Sequence, residues 1–106
     1  TAEFSALAEQ AGAQVVSVSA PPRAALTAAE GWFEGRMYGG ALCAHTVQVV
    51  RALRSETDLP IIAAGGVHSA EQINALLSAG ARAVQLDSVV WIDAPKVNAI
   101  LQSWKR

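Results

Sequence analysis

The sequence predicts an α/β fold with a parallel sheet. Along its 106 residues, the patterns follow in the order helix, strand, long loop, helix, strand, helix, strand, helix. Two segments, AEQAGAQVV and LLSAGARAV, show the same transition, in which a helix ends at Ala-Gly-Ala and a strand follows. Such alternation is typical of βα units, whose strands lie parallel in one sheet. We therefore expect one domain with three parallel strands and about four helices.

The first half of the chain combines a helix, a strand and an irregular stretch. Apolar residues recur at three- and four-residue spacing over 4–11, which predicts a helix. Residues 14–19 are rich in valine and are followed by two prolines, so a short buried strand is expected there. The stretch 20–43 contains two prolines and four glycines without a sustained period. It is predicted to be a long loop, compatible with one helical turn near 24–30.

The second half alternates more regularly. Apolar periodicity and flanking turn residues predict helices over 44–58, 68–81 and 93–104, and strands over 61–66 and 82–91. Ser69 and Gln72 have the three-residue spacing of a capping box, which marks the start of the middle helix.

Composition excludes several classes of protein. The chain is 52% hydrophobic and 16% charged, which suits a packed core rather than a disordered segment. The formal net charge is −1 and no basic stripe is present, so a nucleic-acid partner is not expected. No apolar run is long enough to span a bilayer. A single cysteine cannot form an internal disulfide, and a cytoplasmic setting with a reduced thiol is the default expectation.

Gly65 and Gly66 lie where a predicted strand meets a predicted helix, in the segment PIIAAGGVHS. Without Cβ atoms the backbone can approach a ligand closely, and the following helix directs free N–H groups to the same place. These are the properties of a phosphate site. A tight turn that simply requires glycine explains the same residues, so both interpretations stay open at this point.

Three strands would leave both edges of a parallel sheet open. A closed (β/α)₈ barrel typically needs about 250 residues. The chain is therefore either a small open α/β unit or a piece of such a barrel.

A longer pattern favours the barrel. YGGAL, then a helix, then LPIIAAGGVHSAEQINALLSAGARAVQL and a final helix resemble the C-terminal part of dihydroorotate dehydrogenase and related FMN-dependent barrels. The resemblance is closest over 39–86. It implies a partial TIM barrel that contains the last three βα units.

The resemblance also implies a cofactor, FMN, and a phosphate site formed by the loops that follow the strands. The cofactor-binding positions that it implies are Gly39, Gly40, Gly65, Gly66, Asp87 and Ser88. Asp87 and Ser88 stand where the family usually has Thr-Gly or Ser-Gly, so that a carboxylate would face the phosphate dianion.

No catalytic residue is expected in this chain. Ser19 and Ala20 replace the family's Asn-Thr pair, which contacts the pyrimidine substrate. The flavin-contacting lysine and the Ser or Cys base belong to earlier segments of such enzymes. Cys43 does not match the position of the base and is expected to be a small loop or core residue. His45 and His68 fall on different segments and do not form a metal pair; His68 is expected to be a solvent-exposed loop residue rather than an anion contact.

The predicted loop also contains a cation and three aromatic residues. Arg36 is expected to be a solvated charge rather than an anion clamp. Trp32, Phe33 and Tyr38 would form either a hydrophobic lid over a sheet edge or partner contact, or a wall for a flat ring.

Two functional hypotheses follow, with a weaker third. The first is the phosphate-anchoring portion of an FMN-dependent oxidoreductase of the dihydroorotate type, hence of pyrimidine biosynthesis, in which the isolated chain does not catalyse. The second is a stand-alone truncated barrel that self-associates without dehydrogenase activity, so the expected partners are a second copy or the remainder of a barrel. The third is another phosphate-binding barrel, such as a sugar-phosphate or thiazole-synthesis enzyme.

Overall fold

The computed structural model of the chain describes residues 2–18 and 21–104. In chain order the elements are α1 (Ala2–Gln10), β1 (Val16–Val18), β2 (Arg23–Ala28), β3 (Gly31–Arg36), a 3₁₀ turn (Gly40–Leu42), α2 (Cys43–Glu56), β4 (Ile61–Ala64), α3 (Ala70–Ala79), β5 (Ala83–Gln85), α4 (Ser88–Ile92) and α5 (Ala94–Trp104). Ser19 and Ala20, which stand where the resembled family has its pyrimidine-contacting Asn-Thr pair, lie outside the described residues.

The predicted parallel sheet is present. Its order is β1-β4-β5, with Val16 opposite Ile61 and Ile62 opposite Ala83. The three strands therefore lie side by side in their order along the chain. Of the described strands in this sheet, β1 and β5 are outermost.

The core lies between this sheet and the helices. Ile61 of β4, Val50 of α2, Leu76 of α3 and Val89 of α4 are completely buried. Val50 and Leu76 lie on the helix faces that apolar periodicity predicted, because a helix on a parallel sheet must bury one face. Ile100 brings α5 into the same cluster.

The predicted long loop is wrong for much of its length, because residues 23–36 form a β-hairpin. β2 and β3 pair antiparallel, with Leu26 opposite Phe33 and Thr27 opposite Trp32. The helical turn predicted near 24–30 is absent from this segment. The segment is rich in alanine and lacks an Asn-Gly or Asp-Gly turn, so its sequence indicates a hairpin only weakly. The cross-strand side-chain pairs that stabilise the hairpin form only when its two strands meet.

The predicted strand over 82–91 is also wrong in its second half. It ends at Gln85, and residues 88–92 form the short helix α4. The N–H of Val90 donates to the carbonyl of Asp87 at 3.0 Å, and that of Asp93 donates to Val89 at 2.9 Å. Valine favours strands on a pleated, half-buried surface, but here burial of Val89 in the core decides the conformation.

The predicted capping box is confirmed in its first half. Ser69 precedes α3, and its Oγ accepts a hydrogen bond from the Gln72 N–H at 3.2 Å. The Gln72 side chain reaches back one residue further than the usual box, and its Oε1 accepts from the His68 N–H at 2.7 Å. α3 ends at Gly80, whose φ of 122° suits glycine.

Arg54 connects three segments of the chain at the edge of the sheet where β4 begins. Its guanidinium donates hydrogen bonds to the carbonyl oxygens of Gly80 at 3.2 Å, Leu59 at 2.8 Å and Thr57. One side chain thereby fixes the ends of α2 and α3 against the approach to β4, away from the loops that form the candidate site.

Candidate functional site

The candidate site lies at the carboxyl ends of β4 and β5. Because these neighbouring strands are parallel, the loops that follow them emerge on the same edge of the sheet. Together they line a small cavity of about 10 Å³, whose wall consists of Pro21, Met37, Tyr38, Leu42, Gly65, Gly66, Asp87 and Ser88. Four of the six positions named from the sequence are thus brought together.

The two glycines after β4 have a packing reason of their own. Gly65 and Gly66 have φ angles of 135° and 78°, and they end the strand at Ala64, two residues before its predicted end. A Cβ on Gly66 would lie 2.2 Å from the backbone nitrogen of Cys43, at the start of α2. A Cβ on Gly65 would lie 2.5 Å from the Thr46 hydroxyl. The turn therefore requires glycine so that α2 can approach it.

The other two predicted glycines lie on the approach to α2. Gly39 has a φ of 133°, and among the described residues nothing lies within 4 Å of where its Cβ would be. Gly40 begins the 3₁₀ turn, and its ideal Cβ position is 3.7 Å from the His68 ring. The Gly40 carbonyl accepts a hydrogen bond from the Gln72 Nε2 at 3.0 Å. This loop is therefore attached to the first turn of α3, the helix that follows β4.

His68 is not the solvent-exposed loop residue that the sequence predicted. It is half-buried, and its Nε2 lies 3.2 Å from the Ser88 Oγ. Ser88 itself is only 4% exposed. The pair connects the loop after β4 with the start of α4, across 20 residues of sequence. This contact could not be predicted from the sequence, because no sequence motif includes both residues.

The donor types at this edge fit a phosphate group, with one exception. Barrel enzymes often bind phosphate with the loops after the last two strands and the start of a short extra helix, and α4 is a short helix in that place. The positive-φ turn at Gly65–Gly66 and the Ser88 hydroxyl are suitable neighbours for an anion. Asp87 is the exception. It is exposed, and its side chain makes no capping hydrogen bond to α4, so its carboxylate would oppose a phosphate.

Cys43 is a core residue, as the sequence predicted. It is 4% exposed at the first position of α2, and desolvation by burial raises the pKa of its thiol above the ordinary 9.0. A thiol held in its neutral form is a poor nucleophile, so its position gives it a packing role.

The aromatic residues of the predicted loop do not form one cluster. Trp32 and Phe33 lie on β3 and are 72% and 52% exposed. Tyr38 instead makes an edge-to-face contact with Trp91 of α4, with ring centroids 5.2 Å apart, and lines the small cavity. Arg36 is exposed and donates to the Pro21 carbonyl at 2.8 Å, which fits the predicted solvated charge.

A larger cavity of about 360 Å³ lies between α1, β1 and α2. Its wall is mostly apolar, and it includes Phe4, Val16, Val49 and Leu53. His45 also lines it, on a different element from His68, and no cluster of three potential metal ligands occurs in the part of the chain that the structure describes. Within those same residues, no helix is long and apolar enough to cross a bilayer.

Comparison with known proteins gives related results from sequence and structure. The family profile of nitronate monooxygenase matches residues 5–93. The dihydroorotate dehydrogenase (quinone) of Coxiella burnetii, strains Dugway 5J108-111 and RSA 331 / Henzerling II, is 38% identical over 65 residues. This match covers 59% of the chain and 19% of the enzyme, so the chain spans about a fifth of the length of these curated relatives.

Among solved structures, a mutant of FabK from Thermotoga maritima superposes with a TM-score of 0.57 at 23% identity. The superposition covers 83% of this chain and 25% of that one. This likeness concerns the fold, and it agrees with three parallel strands and their helices as part of a TIM barrel.

Proposed function

Because the chain belongs to the nitronate monooxygenase family, a group of flavin-dependent TIM-barrel oxidoreductases, we propose that it anchors the phosphate of FMN. The observation that carries the proposal is the convergence of Gly65, Gly66, Asp87 and Ser88 on one cavity at the carboxyl edge of the sheet. Gly39 and Gly40 belong to the same site through the loop that Gln72 attaches to it.

The proposed division of labour assigns binding, and not chemistry, to this chain. A bound flavin would accept a hydride from the substrate. The residues of this chain would hold the phosphate end of the cofactor through the loops after β4 and β5, and we assign no catalytic residue among them. The identity to dihydroorotate dehydrogenase supports a dihydroorotate-type substrate and a place in pyrimidine biosynthesis.

Comparison of FMN with riboflavin tests phosphate anchoring, because the two ligands differ only by the phosphate. We expect the chain to bind FMN at least about tenfold more tightly than riboflavin. Quenching of flavin fluorescence measures both affinities. Equal affinities, or no FMN binding at high micromolar concentration, would contradict the proposal. Addition of dihydroorotate to the FMN-loaded chain should leave the flavin oxidised.

Asp87 provides a sharper version of the same test. Asp87→Asn removes a negative charge beside the site and should strengthen FMN binding about three- to tenfold, with little effect on riboflavin. Asp58→Asn is the matched control, since Asp58 is also exposed but precedes β4 at the opposite edge of the sheet. If D87N and D58N affect FMN binding equally, the phosphate does not lie near Asp87.

Self-association is the second candidate, and two observations favour it. Leu26, Trp32 and Phe33 of the hairpin are 61%, 72% and 52% exposed, and β1 and β5 are the outer strands of the described parallel sheet. Exposed apolar surface and open strand edges invite a second copy or the remainder of a barrel. Light scattering at several concentrations tests this: a stable monomer contradicts it, and Trp32→Ser should lower the mass if a dimer forms through the hairpin.

A further inference from the structure

The side-chain amide of Gln72 joins two loops of the candidate site. From the first turn of α3, its Oε1 accepts from the His68 N–H at 2.7 Å and its Nε2 donates to the Gly40 carbonyl at 3.0 Å. Gln72 and His68 are both half-buried, so these bonds are partly shielded from competing water. The amide therefore holds the loop that precedes α2 and the loop that follows β4 at a fixed separation.

The same connection continues to the third loop. His68 donates its backbone N–H to Gln72, and its ring Nε2 lies 3.2 Å from the Ser88 Oγ. Ser88 begins α4 and lines the small cavity with Gly65, Gly66 and Asp87. Gly40, Gln72, His68 and Ser88 thus form one series of hydrogen bonds across all three loops that carry the proposed phosphate-anchoring positions.

The two partners of the amide require a donor and an acceptor on the same side chain. The Gly40 carbonyl can only accept, and the His68 backbone N–H can only donate. Glutamine satisfies both. A glutamate at this position would satisfy His68, but its second oxygen would face the Gly40 carbonyl without a proton between them. Only the protonated acid would restore both bonds, because it carries one O–H donor and one acceptor oxygen.

We propose that Gln72 is a positioning residue for phosphate recognition, acting through the loops of Gly40 and His68 without contacting the ligand itself. This inference rests on the proposed FMN-anchoring function. The amide sets the spacing between the loops before the ligand arrives, so its loss should weaken binding of the phosphate-bearing ligand more than that of the same ligand without phosphate.

The test compares Gln72→Glu and Gln72→Met with Gln48→Glu, which makes the same chemical change at an exposed position of α2. FMN and riboflavin affinities are measured on the full 106-residue chain at pH about 7.5 and about 4.5, with each variant expressed relative to wild type. This ratio cancels the pH effects that all the proteins share, and His68 and Asp87 are unchanged in each of them. Thermal unfolding of each variant shows that it is folded.

At pH about 7.5 we expect both Q72E and Q72M to bind FMN about tenfold more weakly than wild type, with a smaller change for riboflavin. At pH about 4.5, which is close to the ordinary pKa of glutamic acid, a substantial fraction of the Q72E carboxyl groups is protonated, so Q72E should recover part of the way toward wild type, whereas Q72M should not recover. Q48E should match wild type at both values. A residue that merely supported the fold would weaken FMN and riboflavin binding to the same extent.

The outcomes separate the two proposals. If wild type prefers FMN to riboflavin while Q72E and Q72M bind FMN normally, the positioning role of Gln72 is wrong and phosphate anchoring stands. If wild type binds the two flavins equally, phosphate anchoring fails and this inference fails with it. If Q72E is weakened equally at both pH values, the loss does not arise from the missing donor, which also overturns the inference.

Discussion

Gly66→Ala should destabilise the chain more than an alanine substitution at a positive-φ glycine that has open space around it, such as Gly12. A Cβ at this position would lie 2.2 Å from Cys43 N, 2.8 Å from Leu42 C and 2.9 Å from Cys43 Cα. All three atoms are backbone atoms at the start of α2, so no side-chain rotation can relieve the overlap. Either the turn or the first turn of α2 must move by about 1 Å, since unstrained heavy-atom contacts lie near 3.5 Å or beyond.

The expected loss has two parts. Alanine at a φ of 78° costs about 1–2 kcal/mol of backbone strain. Overpacking against atoms that cannot rotate away costs about 1–3 kcal/mol more. The sum, about 2–5 kcal/mol, is a large share of the about 5–15 kcal/mol by which a domain of this size is usually stable. The melting temperature should fall by at least about 10 °C.

Gly12→Ala separates the two parts. Gly12 also has a positive φ, 98°, but among the described residues nothing lies within 4 Å of its ideal Cβ position. It should therefore show the backbone cost alone. Urea unfolding followed by circular dichroism gives both free energies of unfolding. If G66A loses no more stability than G12A, then α2 does not press on the turn, and the packing explanation for this glycine is wrong.

The contacts of Gly65, Arg54 and Cys43 predict further measurable effects. The Cβ introduced by Gly65→Ala would lie 2.5 Å from the Thr46 hydroxyl oxygen. The substitution should therefore lower the free energy of unfolding by less when Thr46 is also alanine, with a coupling energy of about 1 kcal/mol in a double-mutant cycle. Arg54→Ala should cost about 2–3 kcal/mol of unfolding free energy, because three backbone carbonyls lose a charged donor, and Arg54→Lys should recover part of it. Iodoacetamide should modify Cys43 slowly in the folded chain, since burial raises its pKa. The free energy of unfolding should also fall as the pH rises above 9.0, the ordinary pKa of the thiol, because the thiol then loses its proton more readily in the unfolded chain than in the folded one.

Each of these expectations has a control within the chain. Arg51 is exposed on the same helix as Arg54, and Arg51→Ala should change stability by less than about 0.5 kcal/mol. Equal losses for R51A and R54A would refute the role of the three carbonyl bonds. Additive costs for Gly65 and Thr46 would refute their contact. Modification of Cys43 at the same rate in the folded chain and in urea would refute its burial.

The resemblance to flavin-dependent barrels, predicted from the sequence, is confirmed at the level of the family and the fold. The turns that carry it are local: Ser69 caps α3 and Gly80 ends it, and both could be predicted because a cap or a helix end depends on a few neighbouring residues. Four of the six cofactor-binding positions that the resemblance implied come together in space, and their role in binding a cofactor stays a prediction. Gly65, Gly66, Asp87 and Ser88 lie on one cavity, because the parallel order of β4 and β5 follows from the βα pattern.

The sequence by itself determined the order of the main helices and parallel strands, since periodicity and turn chemistry act over a few residues. Only the tertiary structure decided that 23–36 is a hairpin and that 88–92 is a helix, because cross-strand pairing and burial of Val89 outweigh local preference. The same holds for the bonds from Gln72 to Gly40 and from His68 to Ser88, which join residues 32 and 20 positions apart. Such contacts depend on how elements pack in space, and no short stretch of sequence contains both partners. Gly66 depends on both local sequence and tertiary packing. Its place at the end of a strand is a local feature, but a side chain is excluded there by the backbone of α2.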